Sequence, residues 1–252
     1  MNKDYLFIKN NLKNVIESMS MNYIYYIILL TCVSIISLYT NNQDNLVMNL
    51  MEGMFTIYVC MIFGYYAHLY SHRLLFENIM IDILKETNKF IKKDISKIIP
   101  NFILSGVLVF CKILDYHHIY HHDSVINKKW YHIIIEFTLN IITEGVLLIL
   151  LNLIFKINYL NNYIIFFWGL LYATVHIINY NIKHSIHHEY HHIDTSKNYG
   201  VDTIDILLGS KYKEKNYENL NMISINILLI TPIIILLKKY KIYDKIYDNI
   251  YI

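Results

Sequence analysis

Twelve of the chain's thirteen histidines fall in three short stretches: His68-Leu-Tyr-Ser-His72, His117-His-Ile-Tyr-His-His122, and the run from His176 to His192. Neutral imidazole is a good ligand for iron, zinc and copper, and rings four residues apart on a helix share one face, near enough to hold one ion. The pairs 68/72, 117/121, 118/122, 184/188, 187/191 and 188/192 all have that spacing. Histidines used only as polar surface would be scattered along the chain instead. The first stretch is an HxxxH pair, His68 and His72, and the second an HxxHH box, His118, His121 and His122. The third reads in two ways, as His184-x-x-His187-His188 or as His188-x-x-His191-His192. If it continues as one helix, His176, Tyr180, His184, His188 and His192 form a stripe.

Such a cluster needs rigid elements to carry it, and composition says which kind. Hydrophobic residues make up 55% of the 252 and charged ones 17%, more apolar and less charged than soluble domains usually are. A net charge of +2 with a single arginine, Arg73, gives no nucleic-acid surface. The cysteines Cys32, Cys60 and Cys111 each sit inside an apolar run, unpaired and without zinc-type spacing. No cleavable signal is expected at the start, so the first apolar run stays as an anchor.

A spanning helix needs about 20 mostly apolar residues. Tyr23 to Tyr39, Leu46 to Ala67, Ile133 to Phe155 and Tyr163 to Asn179 qualify, joined pairwise by short polar links. Phe102 to Cys111 and Met222 to Leu237, the latter interrupted by Pro232, are short and suit interfacial or re-entrant helices. Lysines gather at the open ends of the two hairpins, and Lys156 alone marks the closed ends, which places both termini and the histidines in the cytosol. The expected fold is therefore all-α and integral to the membrane: about four transmembrane helices in two hairpins under a cytosolic, histidine-rich helical cap. Residues 1–45 form an N-terminal segment with the first anchor, 46–215 the histidine-bearing domain, and 216–252 an interfacial helix with a low-complexity tail.

The order HxxxH, HxxHH, HxxHH in such a chain resembles the fatty acid hydroxylase superfamily, the membrane di-iron proteins that include sterol desaturases and sphingolipid hydroxylases. The likeness continues past the histidines through Asn198-Tyr-Gly200 and Asp205-Ile-Leu-Leu-Gly209-Ser, similar to the family's closing pattern, and this favours the second reading of the third stretch. The resemblance implies two non-haem irons held by His68, His72, His118, His121, His122, His176, His184, His188, His191 and His192. It implies hydroxylation or desaturation of a fatty acyl, sphingoid or sterol lipid with O2. It also implies a cytochrome b5-type electron donor and an endoplasmic reticulum or other endomembrane location. The first box departs from the pattern. Either His68/His72 is the pair, or His72 pairs with the carboxylate of Glu77.

Other readings stay in view: an acyl-CoA desaturase, a non-catalytic metal-binding membrane protein, or a family member that has lost activity. Around the boxes, His117 and His187 point away from their neighbours and suit supporting or packing roles. His132, beside Trp130 and Tyr131, reads as part of an interfacial aromatic belt. Asp115, Asp123, Glu189 and Asp194 could orient ligand rings or simply meet water. Glu136 is expected to reach the interface, whereas Glu144 lies deep in a span, where a carboxylate is a functional candidate.

Overall fold

Long apolar runs must satisfy their backbone internally, and the computed structural model does so with helices alone. The structure describes residues 3–41, 45–92, 94–121, 129–157, 159–182, 185–213 and 215–241, and their side chains except at 3–7, 9, 96, 117, 118 and 181. Among them no strand occurs. The helices are α1 (Lys3–Met21), α2 (Tyr23–Thr40), α3 (Leu46–Arg73), α4 (Phe76–Ile91), α5 (Asn101–Leu114), α6 (Trp130–Phe155), α7 (Asn162–Asn179), α8 (Ile186–Ile193), α9 (Asp202–Leu208) and α10 (Leu220–Lys239). A π turn interrupts α6 at Ile142–Val146, another ends α7 at Thr174–Asn179, and a third forms at His117–His121.

Among the described residues α2, α3, α6, α7 and α10 are long and apolar enough to cross a membrane. Four of them match the expected spans to within a few residues. The fifth is a correction. Pro232 does not end α10, which runs unbroken for 20 residues. Proline is tolerated in apolar helices, and its neighbour Thr231 is itself buried, with Oγ1 donating to the Ile227 carbonyl at 2.7 Å. Ile227 and Ile234 are fully buried, so α10 is a core helix. At 14 residues, α5 is short for a crossing.

The chain divides into two units, residues 1–67 with 135–252, and residues 68–134. The cut falls within α3 and α6, and it places the segments expected at 1–45 and 216–252 in one unit with much of 46–215. In the larger unit α7 is the central helix: 56% of it is buried, against 28–39% for the other four. Its apolar side chains Ile164, Ile165, Phe167 and Trp168 pack with Leu29, Val33 and Ile36 of α2 and Ile227, Ile230 and Ile234 of α10. Glycine brings α6 to α7: a Cβ on Gly169 would stand 2.9 Å from the Gly145 Cα, so only small residues permit this approach.

Polar links fix the helix directions. At one end Leu220 N donates to Asn22 Oδ1 (2.7 Å) and Tyr25 N to Asn221 Oδ1 (3.1 Å), so α2 and α10 start side by side and run parallel. At the other end Asn161 Nδ2, capping α7, donates to Thr40 Oγ1 at 2.9 Å, and Lys238 stands over the Tyr163 ring. The chain thus enters α2 and leaves α10 at opposite ends of the bundle. Lys238 and Lys239 thus join Lys156 at the end where lysines were expected to be scarce.

Candidate metal centre

In the larger unit the third histidine stretch does not continue α7 as one helix. Ser185 is extended (φ −87°, ψ 120°) and starts α8 afresh, its Oγ accepting from His188 N at 3.2 Å. A serine N-cap bonding the third residue of the helix is a strong start signal. The turn nevertheless brings back what the break separates. The His188 ring lies 4.7 Å from His176 and 4.8 Å from Tyr180, on which it stacks. His188 Nε2 and His192 Nε2 are 3.0 Å apart. With metal–nitrogen bonds of about 2.1 Å, two nitrogens at right angles on one ion stand about 3 Å apart, the same spacing as an N–H···N bond.

His191, 1% exposed, presents Nδ1 to the Lys197 carbonyl at 2.7 Å. That bond puts the proton on Nδ1 and leaves the lone pair on Nε2, the arrangement second-layer groups impose on ligating histidines. His184 lies outside the described residues.

His187 has another task. Its Nδ1 lies 3.2 Å from Asp202 Oδ1, and its Nε2 lies 3.2 Å from the Gly200 carbonyl and 3.4 Å from Asp205 Oδ2. Both nitrogens are used, so the ring is not a ligand. Burial opposes a charge on it, but Asp202 and Asp205 hold its pKa up to about 10. Lys211 bonds the same Asp202 oxygen, and despite the burial that disfavours charge, His187 and Lys211 keep the Asp202 carboxyl below its usual range. Asp202 further accepts from Ser18 Oγ (3.1 Å) and Glu218 N (3.2 Å). Two cations and two carboxylates form a neutral buried latch beneath α8.

The closing motif is the frame of this latch. Asp205 accepts from Tyr199 N (2.9 Å), Gly200 N (3.0 Å) and Ser210 Oγ (2.6 Å). Asn198, in the left-handed region at φ 58°, donates to the His187 carbonyl (2.9 Å) and accepts from Tyr212 N (2.9 Å). Gly209 ends α9 at φ 75°, a conformation that favours glycine.

In the smaller unit His68 and His72 lie one turn apart on α3 with ring centroids at 5.0 Å. The helix ends at Arg73, and Leu75 is extended (φ −97°, ψ 96°), so Glu77 does not continue their face. Glu77 instead pairs with Lys112 at 3.3 Å. Asp115 is a cap rather than a ring-orienting acid: its oxygens accept from Phe76 N (2.7 Å) and Glu77 N (2.9 Å) at the start of α4.

His121 is buried in the third π turn. The side chain of His118, with that of His117, falls outside the described set, as do His122 and Asp123 entirely. His132 corrects the sequence reading: it is 2% exposed, its ring lies 6.4 Å from that of His121, and its Nδ1 meets Tyr116 Oη at 3.1 Å. A buried ring in contact with His121 and Tyr116 does not fit a residue of an exposed aromatic belt. Glu136, one turn further along α6, is 1% exposed, and Glu144, on the π turn, is 2% exposed. Glu189 is exposed. Asp194 closes a surface turn, accepting from Ser196 Oγ at 2.6 Å.

Asp202 and Lys211 were missed in the sequence. The signal was their position: Asp202 lies between Gly200 and Asp205 of the closing motif, and Lys211 directly follows its Gly209-Ser210. Comparison of the chain with family models, with curated proteins and with solved structures finds no match.

Proposed function

We propose that this protein is a membrane-embedded, iron-dependent oxygenase that hydroxylates or desaturates a lipid. The observation that carries the reading is the placement of His188 Nε2 and His192 Nε2 at 3.0 Å, with His176 at hand and His191 oriented by the Lys197 carbonyl. Such a set, nitrogen-rich and free of thiolate, suits non-haem iron.

The ligands assigned are His176, His184, His188, His191 and His192 in one unit, and His68, His72, His118, His121 and His122 in the other. His132 joins the second group as a supporting residue or further ligand. When bound, two ferrous ions supply reduction of O2 and removal of hydrogen from an unactivated C–H bond. The chain's own residues hold the geometry. The Ser185 cap and the Asp202 latch keep α8 from rotating, and the Lys197 carbonyl keeps the His191 proton away from Nε2. Apolar helices around the site suit a substrate taken from the bilayer, and the family resemblance implies electrons from a cytochrome b5-type donor.

The test is metal quantitation with Mössbauer spectroscopy on full-length protein purified in detergent from iron-57-fed cells. Two coupled irons per chain, reduced in number by His192→Ala and separately by His72→Ala, is the expected result. Zinc alone, or no metal after iron reconstitution, overturns the reading. A lipid extract from expressing cells then reports a new hydroxyl or double bond.

A further inference from the structure

Helix α1 is built inside out. Asn11, Asn14, Val15 and Ser18, with Asn22 just beyond the helix, are each at most 8% exposed, whereas Ile8, Leu12, Ile16 and Met19 are 42–64% exposed. The buried face bonds polar partners in its own unit: Ser18 Oγ to Asp202, Asn22 to the Glu218 carbonyl (2.8 Å), and Asn14 to Tyr217 Oη (3.4 Å). At about 100° per residue, the positions fall into three sectors. The asparagine-rich face covers about 100°, the aliphatic stripe about 80°, and Asn10, Lys13, Glu17 and Ser20 occupy the remainder. A helix in water would not hide its amides and show its aliphatic side chains.

The stripe also continues. Positions 8, 12, 16 and 19 are followed by Tyr23, Ile27 and Leu30 of α2, 59, 59 and 44% exposed, at the same spacings of three and four. On the reading of α2 as a membrane span, these last three are its lipid face. Between the helices Asn22 leaves helical geometry (φ −105°, ψ 26°), which allows a change of direction.

We propose that α1 lies in the membrane surface, with Ile8, Leu12, Ile16 and Met19 among the acyl chains, Lys13 and Glu17 toward water, and the asparagine face seated on α9. One side in lipid, one in water and one on protein accounts for all three sectors. The stripe sits about 5–10 Å below the headgroups. Through Ser18 and Asp202 this seat is bonded to the latch that holds the histidine helix, so the membrane surface itself helps to set the position of α8. The proposal rests on the membrane reading, and its test separates the two.

Full-length protein in phosphatidylcholine nanodiscs carries one nitroxide at a time on Ile8→Cys, Leu12→Cys, Ile16→Cys or Met19→Cys. Lys13→Cys and Ser20→Cys sample the water sector, and Ile27→Cys serves as the reference on α2. The native cysteines are buried, and the unsubstituted protein gives their background. The expected result is oxygen contact exceeding nickel-chelate contact at the four stripe positions and at Ile27→Cys, reversed at Lys13→Cys and Ser20→Cys. Nickel dominance at the stripe with oxygen dominance at Ile27→Cys places α1 in water and overturns the proposal alone. Exclusion of both reagents at the stripe shows a protein covering it, a second copy included, and overturns it equally. Nickel dominance at Ile27→Cys as well overturns the membrane reading and the proposal together.

Discussion

The two HxxHH segments, 118–122 and 188–192, carry the same donors in the same order, yet they are held in different ways. The second sits on α8, an α-helix capped by Ser185 and clamped from below by Asp202, Asp205, Lys211 and Asn198. In the first, residues 117–121 form a π turn, where the backbone advances by less than 100° per residue. Around it the described contacts include the Tyr116–His132 bond, the His121–His132 ring contact and the Asp115 cap on α4. One spacing of histidines is thus compatible with two backbones, and the groups outside the motif decide which one forms.

The comparison predicts that α8 depends far more on its surroundings than the first box does. Asp202→Ala is expected to cost about 3–5 kcal/mol, because it removes the carboxylate bonded to buried Lys211 and leaves His187 with Asp205 alone; chemical denaturation of the metal-free protein in detergent measures it. A loss below about 1 kcal/mol, the scale of an exposed pair, would show that the latch does not hold the helix.

A smaller effect appears with pH. The folded pKa of His187, about 10, stands above its ordinary 6.5, so its contribution to stability is complete below pH 6.5 and fades as pH rises through 10. The Asp202 pKa is lowered, so its contribution is complete above the ordinary 3.8 and is lost as pH falls below it. Stability from the latch is therefore greatest between about pH 4 and 6.5. His187→Gln should flatten the decline between pH 6.5 and 10, and an unchanged slope there would assign the decline to other groups.

The smallest effects compare one bond from each region. Ser185→Ala is expected to cost about 1 kcal/mol or somewhat more, since Ser185 Oγ also donates to Glu218. Tyr116→Phe should cost about 0.5–1.5 kcal/mol. Thermal unfolding of the two variants side by side gives the order, and a larger loss for Tyr116→Phe would reverse the comparison.

Much of the fold was legible because apolar runs of spanning length leave a helix few alternatives. Four spans were placed to within a few residues on that ground alone. Helix α10 was underestimated because proline was weighed as a breaker, whereas the helix continues past Pro232 with Ile227 and Ile234 packed in the core. Helix α1 was missed because its pattern is inverted, with asparagines inside, and a search for an apolar inner face passes over it. Of the site, the donors were visible by residue type and spacing. His132 was not, since a lone histidine between aromatic residues looks the same whether it faces lipid or another imidazole.

By itself the sequence determined the chemistry on offer, imidazoles in number, and the helical medium that carries them, because side-chain identity and hydropathy are local properties. Tertiary structure decided which rings meet, where His187 spends its nitrogens, and at which end of the bundle the chain leaves. Each of these depends on residues far apart in sequence, such as Ser18, Asp202 and Lys211, whose mutual energies exist only once folding has brought them together and shut out water.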